Sequence, residues 1–270
     1  MKKLKFAGLC VLLFLGLCAI PASEFSLSLP GGSGPQKKEI VCWGDSMTAG
    51  YGASEAILSL DGNRYDISDL SYPEVLQRLT GIKTCNFGVF GATSEEISIM
   101  QGGTVPEQPL SAYDVIDRDV MRQAESHPGD ILILEMGSNG GWKDYDELIA
   151  QYRAMLAHAA CEKYIIIGDT DDPLNSADPH GARGSGTTET AWENALREAF
   201  GDHFINMRVF LIENGLELVG WKATPADEAA ARQGNISARL RADWTHFNSY
   251  GYYAQAVGVY QKGRQLGYWQ

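Results

Sequence analysis

Short apolar segments alternate with longer amphipathic segments along most of this chain, and this order restricts the fold more than any other feature. The strand candidates are residues 39–43, 83–87, 130–136 and 164–168, with a weaker one at 203–207. The helical patterns are residues 72–79, 144–159, 189–200 and 250–266. Apolar strands that alternate with amphipathic helices indicate a parallel sheet covered on both faces. We therefore predict an α/β fold with a doubly wound parallel sheet flanked by helices.

The first predicted strand ends in a turn that presents a serine. From residue 41 to 52 the sequence VCWGDSMTAGYG passes from an apolar strand into a glycine-rich turn that carries Ser46. Active sites of open parallel sheets lie beyond the carboxyl ends of the strands, where this serine falls. Taken alone, Gly-Asp-Ser is more often an ordinary turn, because all three residues favour turns. A catalytic Ser46 would need a base, since a hydroxyl is a poor nucleophile until its proton is taken.

The sequence supplies such a base near its other end. Asp243 and His246 lie three residues apart in the segment DWTH. One helical turn or a tight loop brings such a pair together, so that the carboxylate holds Nδ1 of the ring while Nε2 faces the serine. The pattern predicts a serine hydrolase in which Ser46 is the nucleophile, His246 the base and Asp243 the residue that orients His246.

Four short blocks of the sequence resemble those of the SGNH (GDSL-like) esterase and lipase family. In the family's order they are GDS at 44–46 with Thr48, NFGVFGATS at 86–94, GSN at 137–139 and DWTH at 243–246. The match spans roughly residues 39–268, and four blocks in order are far more specific than any one of them. The resemblance implies a flavodoxin-like three-layer sandwich and ester hydrolysis by Ser46, His246 and Asp243 without a cofactor or metal ion.

The second and third blocks imply, by the same resemblance, donors for the oxyanion of ester hydrolysis. They are the backbone N–H of Gly91 and the side-chain amide of Asn139, which join the backbone N–H of Ser46. Preorganised donors aimed at the developing charge lower the barrier. Gly140 departs from the pattern, because the family usually has an aspartate there, so we expect the local loop and its substrate contacts to differ.

These blocks also have purely structural interpretations. Residues 88–91 are typical of a strand-to-helix turn, with Ser94 as the helix N-cap and Glu96 in the first turn. Residues 137–141 are typical of a flexible loop, and Asp243 of a helix cap. The acidic stretch at 169–173 is predicted as a solvated loop in preference to a cation site.

The sequence argues against the α/β-hydrolase architecture. That fold requires a Gly-x-Ser-x-Gly elbow between a strand and a helix. The nearest imitation, residues 184–186, has Arg183 in place of the first glycine and no strand before it. Ser46 is followed by Met47 and Thr48 without the second glycine.

The N-terminus predicts export. Lysines at 2, 3 and 5 precede an apolar run at 6–20 and then small residues at 21–23, which is typical of a secretory signal peptide at residues 1–22. The run is too short for a comfortable membrane span. We predict that residues 23–38 form a linker and that residues 39–270 form one hydrolase domain. We expect a secreted protein with no stable membrane span after cleavage; lipidation at Cys10 or Cys18 and an uncleaved anchor are the alternatives.

The charge, histidine spacing and cysteine content of the chain limit the possible binding partners and metal sites. The formal net charge of −12 argues against binding to nucleic acid or anionic lipid. The remaining histidines (127, 158, 180 and 203) lack the close spacing of a zinc site. Three cysteines remain after cleavage, Cys42, Cys85 and Cys161, and the sequence does not choose a disulfide pair among them. Oligomeric state is not indicated.

The expected partner is a small-molecule or polysaccharide ester. We favour short acyl groups, such as acetyl on an extracellular carbohydrate. The reason is that the candidate loops are rich in Gly, Asp, Ser and Thr, with Trp142 nearby, and poor in continuous apolar surface. The alternatives within the family are lipase, lysophospholipase or thioesterase activity. The alternative from another class is a non-catalytic carbohydrate-binding protein on a hydrolase scaffold.

Overall fold

The structure is a computed structural model that describes residues 38–102, 115–171 and 186–270. The predicted signal peptide, and all of the predicted linker except its last residue, lie outside the described residues. The strands are β1 Glu39–Gly44, β2 Ile57–Leu60, β3 Asn63–Asp66, β4 Lys83–Gly88, β5 Ile131–Glu135, β6 Tyr164–Ile167 and β7 Phe204–Ile205. The helices are α1 Ser46–Ala49, α2 Tyr72–Thr80, α3 Ser94–Gly102, α4 Arg118–Glu125, α5 Tyr145–Ala159, α6 Ala191–Phe200, α7 Met207–Leu218, α8 Pro225–Arg232 and α9 Ser249–Gln265.

The central sheet has the strand order β4-β1-β5-β6-β7, and every neighbouring pair in it is parallel. With the β2–β3 hairpin set aside, this is the 2-1-3-4-5 order of the flavodoxin-like doubly wound sheet. The chain reverses its direction of winding between β1 and β5, so β1 lies at the crevice where such sheets bind ligands. The predicted fold class is confirmed.

Successive side chains of each strand point to opposite faces of the sheet, and each face is covered by helices. Ile40, Cys42 and Ile133 belong to the apolar cluster that includes residues of α2, α7 and α9. Val41, Trp43 and Leu134 belong to the second cluster, with residues of α3, α5 and α6. Because both faces are buried, β1, β5 and β6 are nearly continuous apolar runs, which is why they could be found in the sequence.

The predicted strand at 203–207 is present but short. Phe204 and Ile205 pair with β6, and α7 begins immediately afterwards at Met207. Asn206 ends the strand because its side chain accepts the N–H of Val209 and caps α7. Because the capping residue Asn206 follows directly after Phe204 and Ile205, β7 has only two residues.

The hairpin formed by β2 and β3 was not predicted. Its strands are antiparallel and pair Ile57 with Asp66 at one end and Leu60 with Asn63 at the other. The two residues between them, Asp61 and Gly62, both have positive φ, as the tightest hairpin turns require. Asp-Gly is a known hairpin signal, but the polar second strand lacks the apolar pattern that would have revealed it.

The described cysteines are all free thiols. Cys42 is fully buried in β1, and burial raises the pKa of its thiol far above the ordinary value. Cys85 is half-buried on β4, the edge strand. Within the described ranges, no helix is both long enough and apolar enough to cross a membrane.

Candidate active site

The serine, histidine and aspartate that the sequence predicts form one hydrogen-bonded row. Ser46 Oγ lies 2.9 Å from His246 Nε2, across 200 positions of the chain. On the other side of the ring, His246 Nδ1 lies 2.8 Å from Asp243 Oδ2 and 3.1 Å from Oδ1. Because each ring nitrogen has a partner, the imidazole is fixed between hydroxyl and carboxylate. This arrangement can activate a serine for nucleophilic attack.

The turn after β1 holds Ser46 in place. Asp45 Oδ1 accepts the N–H of Met47 at 2.9 Å and caps α1, of which Ser46 is the first residue. Gly44 has no room for a side chain, because a Cβ would lie 2.1 Å from Thr48 Oγ1 and 2.4 Å from the carbonyl oxygen of Glu135. The strand can therefore pass directly into the helix, with the serine at the carboxyl edge of the sheet.

His246 lies in a loop that is held by hydrogen bonds between its own residues. Asp243 Oδ1 accepts the N–H groups of Thr245 at 2.9 Å and of His246 at 2.7 Å. The N–H of Ala242 donates to the carbonyl oxygen of His246 at 2.9 Å. Asn248 then caps α9 by accepting two N–H groups of its first turn. The carboxylate thus shapes the loop that presents the imidazole and also contacts the imidazole itself.

The same contacts keep Asp243 ionised. Partial burial acts to raise the pKa of its carboxyl, but the N–H of His246, the imidazole and the N–H of Thr245 together hold that pKa below its ordinary value. Hydrogen bonds to the charged form of an acid stabilise that form. An ionised carboxylate at this position stabilises the imidazolium that forms when His246 takes a proton.

Gly52, the last residue of the glycine-rich run after β1, allows the histidine loop to approach the serine turn. Its φ is +89°, and a Cβ would lie 2.7 Å from the carbonyl oxygen of Phe247 and 2.8 Å from Cβ of Ala242. His246 Cβ would be 3.2 Å away. Both the backbone conformation and the packing therefore call for glycine.

Gly91 occupies the third position of a β-turn. The turn is closed by the N–H of Ala92, which donates to the carbonyl oxygen of Val89 at 3.1 Å. Gly91 has a φ of +74°, and a Cβ there would meet nothing within 4 Å. The turn therefore requires glycine for its backbone conformation. The Gly91 N–H takes no part in the hydrogen bond that closes the turn.

Asn139 connects its own turn to the one that contains Gly91. Asn139 Nδ2 donates to the carbonyl oxygen of Ala92 at 3.1 Å. The N–H of Gly140 donates to the carbonyl oxygen of Gly137 at 2.9 Å and closes the turn around Asn139. An amide carries two N–H hydrogens, so this bond uses one of them and leaves the second for a ligand. Two of the three candidate oxyanion donors thus lie in directly bonded turns.

Gly140 ties this turn to α3, and the predicted cap of that helix is wrong. The backbone N–H and the hydroxyl of Ser94 both donate to the carbonyl oxygen of Gly140 at 3.0 Å. The N-cap is instead Thr93, whose Oγ1 accepts the N–H of Glu96 at 3.3 Å, while Glu96 Oε2 accepts the N–H of Thr93 at 2.8 Å. Threonine and glutamate three residues apart form a reciprocal capping box, and Ser94 is left to anchor the loop.

Trp142, which the sequence places near the candidate substrate loops, holds the Asn139 turn in position. Its indole N–H donates to the carbonyl oxygen of Gly137 at 3.0 Å. Its ring packs against Trp192 with centroids 5.0 Å apart and against Tyr145 at 5.8 Å. These contacts make Trp142 part of the support of the Asn139 turn.

Three other aromatic side chains are exposed around the candidate site. Tyr51 is 53 % exposed, Phe90 56 % and Trp244 57 %. The Tyr51 ring lies 4.5 Å from the His246 ring and 5.6 Å from Phe90, centroid to centroid. Trp244 lies between Asp243 and His246 in the chain. We call Tyr51, Phe90 and Trp244 the aromatic rim. They could not be selected from the sequence, because exposure of a ring has no sequence signal.

A cavity of about 370 Å³ adjoins the aromatic rim on one side. It is lined by Trp244 and Asp243 from the histidine loop, together with Asn235, Ile236 and Arg241. The Asn235 Oδ1 atom is buried and has no hydrogen-bond partner among the described residues. Three alanines, 230, 238 and 242, complete the lining, so the cavity combines an exposed indole and small apolar side chains with a few polar groups.

Buried carboxyl groups lie beneath the serine turn. Asp45, Glu135 and Asp171 are each no more than 5 % exposed. Burial raises the pKa of Asp45 to about 7, and it raises those of Glu135 and Asp171 well above the ordinary range, with neighbouring carboxylates adding to each shift. The prediction of a solvated acidic loop at 169–173 is wrong for Asp171 and for Thr170, which is also buried. Asp172 and Pro173, which belong to the same predicted loop, lie outside the described residues.

A family model identifies the protein class. The model of the GDSL-like lipase/acylhydrolase family matches residues 42–254, so the chain belongs to that family. This result confirms the resemblance noted in the four sequence blocks. It also supports hydrolase activity. No curated protein matches the chain.

Several solved structures are similar to this one. A GDSL-like lipase from Bacteroides thetaiotaomicron is 13 % identical, with 90 % of this chain and 95 % of that one covered and a TM-score of 0.45. A family two carbohydrate esterase from Clostridium thermocellum, in complex with cellohexaose, is 12 % identical, with 89 % and 68 % covered and a TM-score of 0.47. The salicylyl-acyltransferase SsfX3 is 14 % identical with a TM-score of 0.46; the match covers 87 % of this chain and 56 % of that protein.

We expect stability to fall as pH rises through the range in which Asp45 holds its proton only in the folded protein. The pKa of Asp45 is about 7 when folded, against an ordinary value of 3.8. Between these values the folded state binds a proton that the unfolded state has lost, so stability decreases with rising pH, by up to about 1.4 kcal/mol per pH unit. Asp45→Asn should have a flatter profile in urea unfolding measured from pH 4 to 7. The exposed Asp61→Asn is the control, and an Asp45→Asn profile parallel to wild type would contradict the prediction.

Gly52→Ala should be more destabilising than a glycine substitution that changes the backbone alone. The matched control is Gly62→Ala, where φ is +79° but a Cβ meets nothing within 4 Å. A positive φ costs a non-glycine residue about 1–2 kcal/mol. Gly52→Ala adds the clash with the histidine loop, so we expect a clearly larger loss in urea unfolding and a shifted His246 imidazole resonance in NMR spectra. Equal losses and an unmoved resonance would argue against this role of Gly52.

Proposed function

We propose that this protein is a secreted serine esterase that hydrolyses short acyl esters, such as acetyl esters, on carbohydrates. The observation that carries the proposal is the 2.9 Å contact between Ser46 Oγ and His246 Nε2, with Asp243 behind the imidazole. It occurs at the carboxyl edge of a parallel sheet in a member of a lipase and acylhydrolase family. The secretion part of the proposal depends on the signal peptide predicted at residues 1–22.

In this proposal hydrolysis has two halves that use the same groups. His246 Nε2 takes the proton of Ser46 as its oxygen attacks the acyl carbonyl. His246 then gives the proton to the leaving alkoxide, and the acyl group remains on Ser46. Water attacks the acyl-enzyme with His246 again as the base, and His246 returns that proton to Ser46 Oγ as the bond to the acyl group breaks and the carboxylic acid leaves. Asp243 keeps Nδ1 protonated throughout and stabilises the imidazolium.

The oxyanion of each tetrahedral intermediate is stabilised by three donors. These are the N–H of Ser46 at the start of α1, the N–H of Gly91 and the second amide hydrogen of Asn139. The hydrogen bond from Asn139 to Ala92 supports this assignment, because it holds the amide beside the Gly91 turn. Since both turns are fixed by hydrogen bonds before substrate binds, little reorganisation is needed as charge develops.

The aromatic rim supports a carbohydrate as the alcohol part of the ester. An aromatic face carries partial negative charge and attracts the polarised C–H groups of a sugar ring. The exposed Trp244 also lines the 370 Å³ cavity with Asn235 and Arg241, which offers polar contacts to hydroxyl groups. A long acyl chain would need a continuous apolar channel, whereas the lining of the cavity beside Trp244 includes the polar side chains of Asn235 and Arg241.

Hydrolysis of p-nitrophenyl acetate tests the reaction. Ser46→Ala should lower kcat by about 10⁶, Asp243→Asn by about 10⁴ and Asn139→Ala by about 10²–10³. The exposed Ser126→Ala serves as the matched serine control and should retain full activity. Equal rates for wild type and Ser46→Ala would rule out Ser46 as the nucleophile. Absence of activity in wild type, with acetylated oligosaccharide still bound, would instead support the non-catalytic binding protein.

The alcohol part of the substrate is tested with Trp244→Ala. Loss of one ring contact is worth about 0.5–1.5 kcal/mol, so KM for an acetylated oligosaccharide should rise about 2- to 13-fold. KM for ethyl acetate, which carries no sugar, should not change. Ile57→Ala removes an exposed apolar side chain of the hairpin and is the control. Efficient hydrolysis of palmitoyl esters, with no effect of Trp244→Ala on any sugar ester, would favour the lipase alternative.

A further inference from the structure

Three side chains of metal-ligand type meet at the end of the sheet opposite to Ser46. Glu39 is the first residue of β1, Cys85 lies on β4, and His127 lies in the segment between α4 and β5. One potential ligand atom from each lies within 4.8 Å of the other two. Glu39 is 46 positions from Cys85 and 88 from His127, so no sequence motif could have shown this cluster.

Two of the three distances between ligand atoms in this cluster are close to those of a tetrahedral metal ion, and the third, from Cys85 Sγ to His127 Nδ1, is at most 4.8 Å. His127 Nδ1 lies 2.9 Å from Glu39 Oε1, and Cys85 Sγ lies 3.5 Å from the same oxygen. A tetrahedral Zn²⁺ with bonds of ~2.0–2.3 Å keeps its ligand atoms ~3.3–3.7 Å apart. The sulfur–oxygen distance already falls in this range. The nitrogen–oxygen pair needs to open by a few tenths of an ångström, which the half-buried side chains allow.

A positively charged group already lies at the same place. Lys83 Nζ is 2.7 Å from Glu39 Oε1 and 3.2 Å from His127 Nδ1. The lysine side chain is 55 % exposed, whereas that of Glu39 is 16 % exposed. The ammonium can therefore move into water while the carboxylate stays in place. Lys83 marks the site as one that attracts cations, and it also competes with any metal ion that enters.

We propose that Glu39, Cys85 and His127 form a binding site for a divalent transition-metal ion, with Zn²⁺ as the ion that this donor set prefers. Thiolate, imidazole and carboxylate are the usual protein ligands of zinc, and three of them leave the fourth position to water. On binding, the metal forms bonds to sulfur, nitrogen and oxygen, the Cys85 thiol releases its proton to solvent, and Lys83 moves away.

A metal ion at this position would crosslink three separate parts of the fold. It would connect the start of β1, the edge strand β4 and the segment before β5, all at the amino ends of the strands. Serine chemistry takes place at the opposite edge, so the site has no role in the proposed hydrolysis. Binding to the folded state alone raises stability with metal concentration by mass action.

The test uses Co²⁺ as a spectroscopic probe of the full-length chain. Cobalt bound to a thiolate gives a charge-transfer band in the near ultraviolet, and a tetrahedral site gives strong visible bands. Wild type should show both, and Zn²⁺ should displace them. Cys85→Ser should remove the charge-transfer band, and His127→Ala should weaken binding at least about tenfold, since even outer-shell partners of a metal matter by about 10–100-fold. Lys83→Met should tighten binding, because it removes the competing ammonium.

Cys161→Ser is the matched control. Cys161 is also a half-buried thiol, and its Sγ donates to the carbonyl oxygens of Asp130 and Lys163 at 3.1 Å. Its replacement should leave the spectrum unchanged. The proposal is overturned if the charge-transfer band survives in Cys85→Ser, or if neither wild type nor Lys83→Met shows it.

Discussion

The close backbone contacts at the carboxyl edge of the sheet are the constraint on which the rest of the site depends. β1 is hydrogen-bonded on both sides, and the turn that follows it must fit between its neighbours. A Cβ at Gly44 would lie 2.4 Å from the Glu135 carbonyl oxygen, and one at Gly88 would lie 2.2 Å from the backbone nitrogen of Ala49. Glycine at both points lets α1 begin directly on the sheet. The position of Ser46 follows from this fit.

The close fit has an electrostatic cost. Asp45 caps α1 with one carboxylate oxygen, while its other oxygen is buried without a partner among the described residues. Glu135 at the end of β5 is also buried and accepts hydrogen bonds from Gln255 at 2.7 Å and Thr48 at 3.3 Å. Burial of a carboxylate favours its neutral form. The polar groups that shape the serine turn therefore reduce stability as they become ionised, which is common where a site is held by buried polar contacts.

The sequence predicted the parallel sheet, and it placed Ser46, Asp243 and His246, which the structure brings within hydrogen-bond distance of one another, for physical reasons that apply to particular residues. β1 and β5 are buried, largely apolar runs, and Ser46 and Asn139 each follow one of them, whereas Gly91 follows the more polar edge strand β4. Features that depend on contacts between residues far apart in sequence could not be predicted. The close packing at Gly52 is one example, because its neighbours Ala242 and Phe247 are far away in sequence. Burial of Asp171 is another, since a short acidic stretch has the composition of a solvated turn.

The long separation between Ser46 and His246 links the site to the order in which the chain is made. The histidine loop leads directly into α9, and this last helix packs against α2 and α7. The hydroxyl of Tyr252 on α9 also donates to the carbonyl oxygen of Tyr51 at 2.6 Å. A growing or truncated chain that ends before residue 243 thus has the serine without its base. Contacts between residues that are distant in sequence form late in folding and at a high entropic cost. The pairing of Ser46 with His246 is therefore completed only when the whole domain has folded.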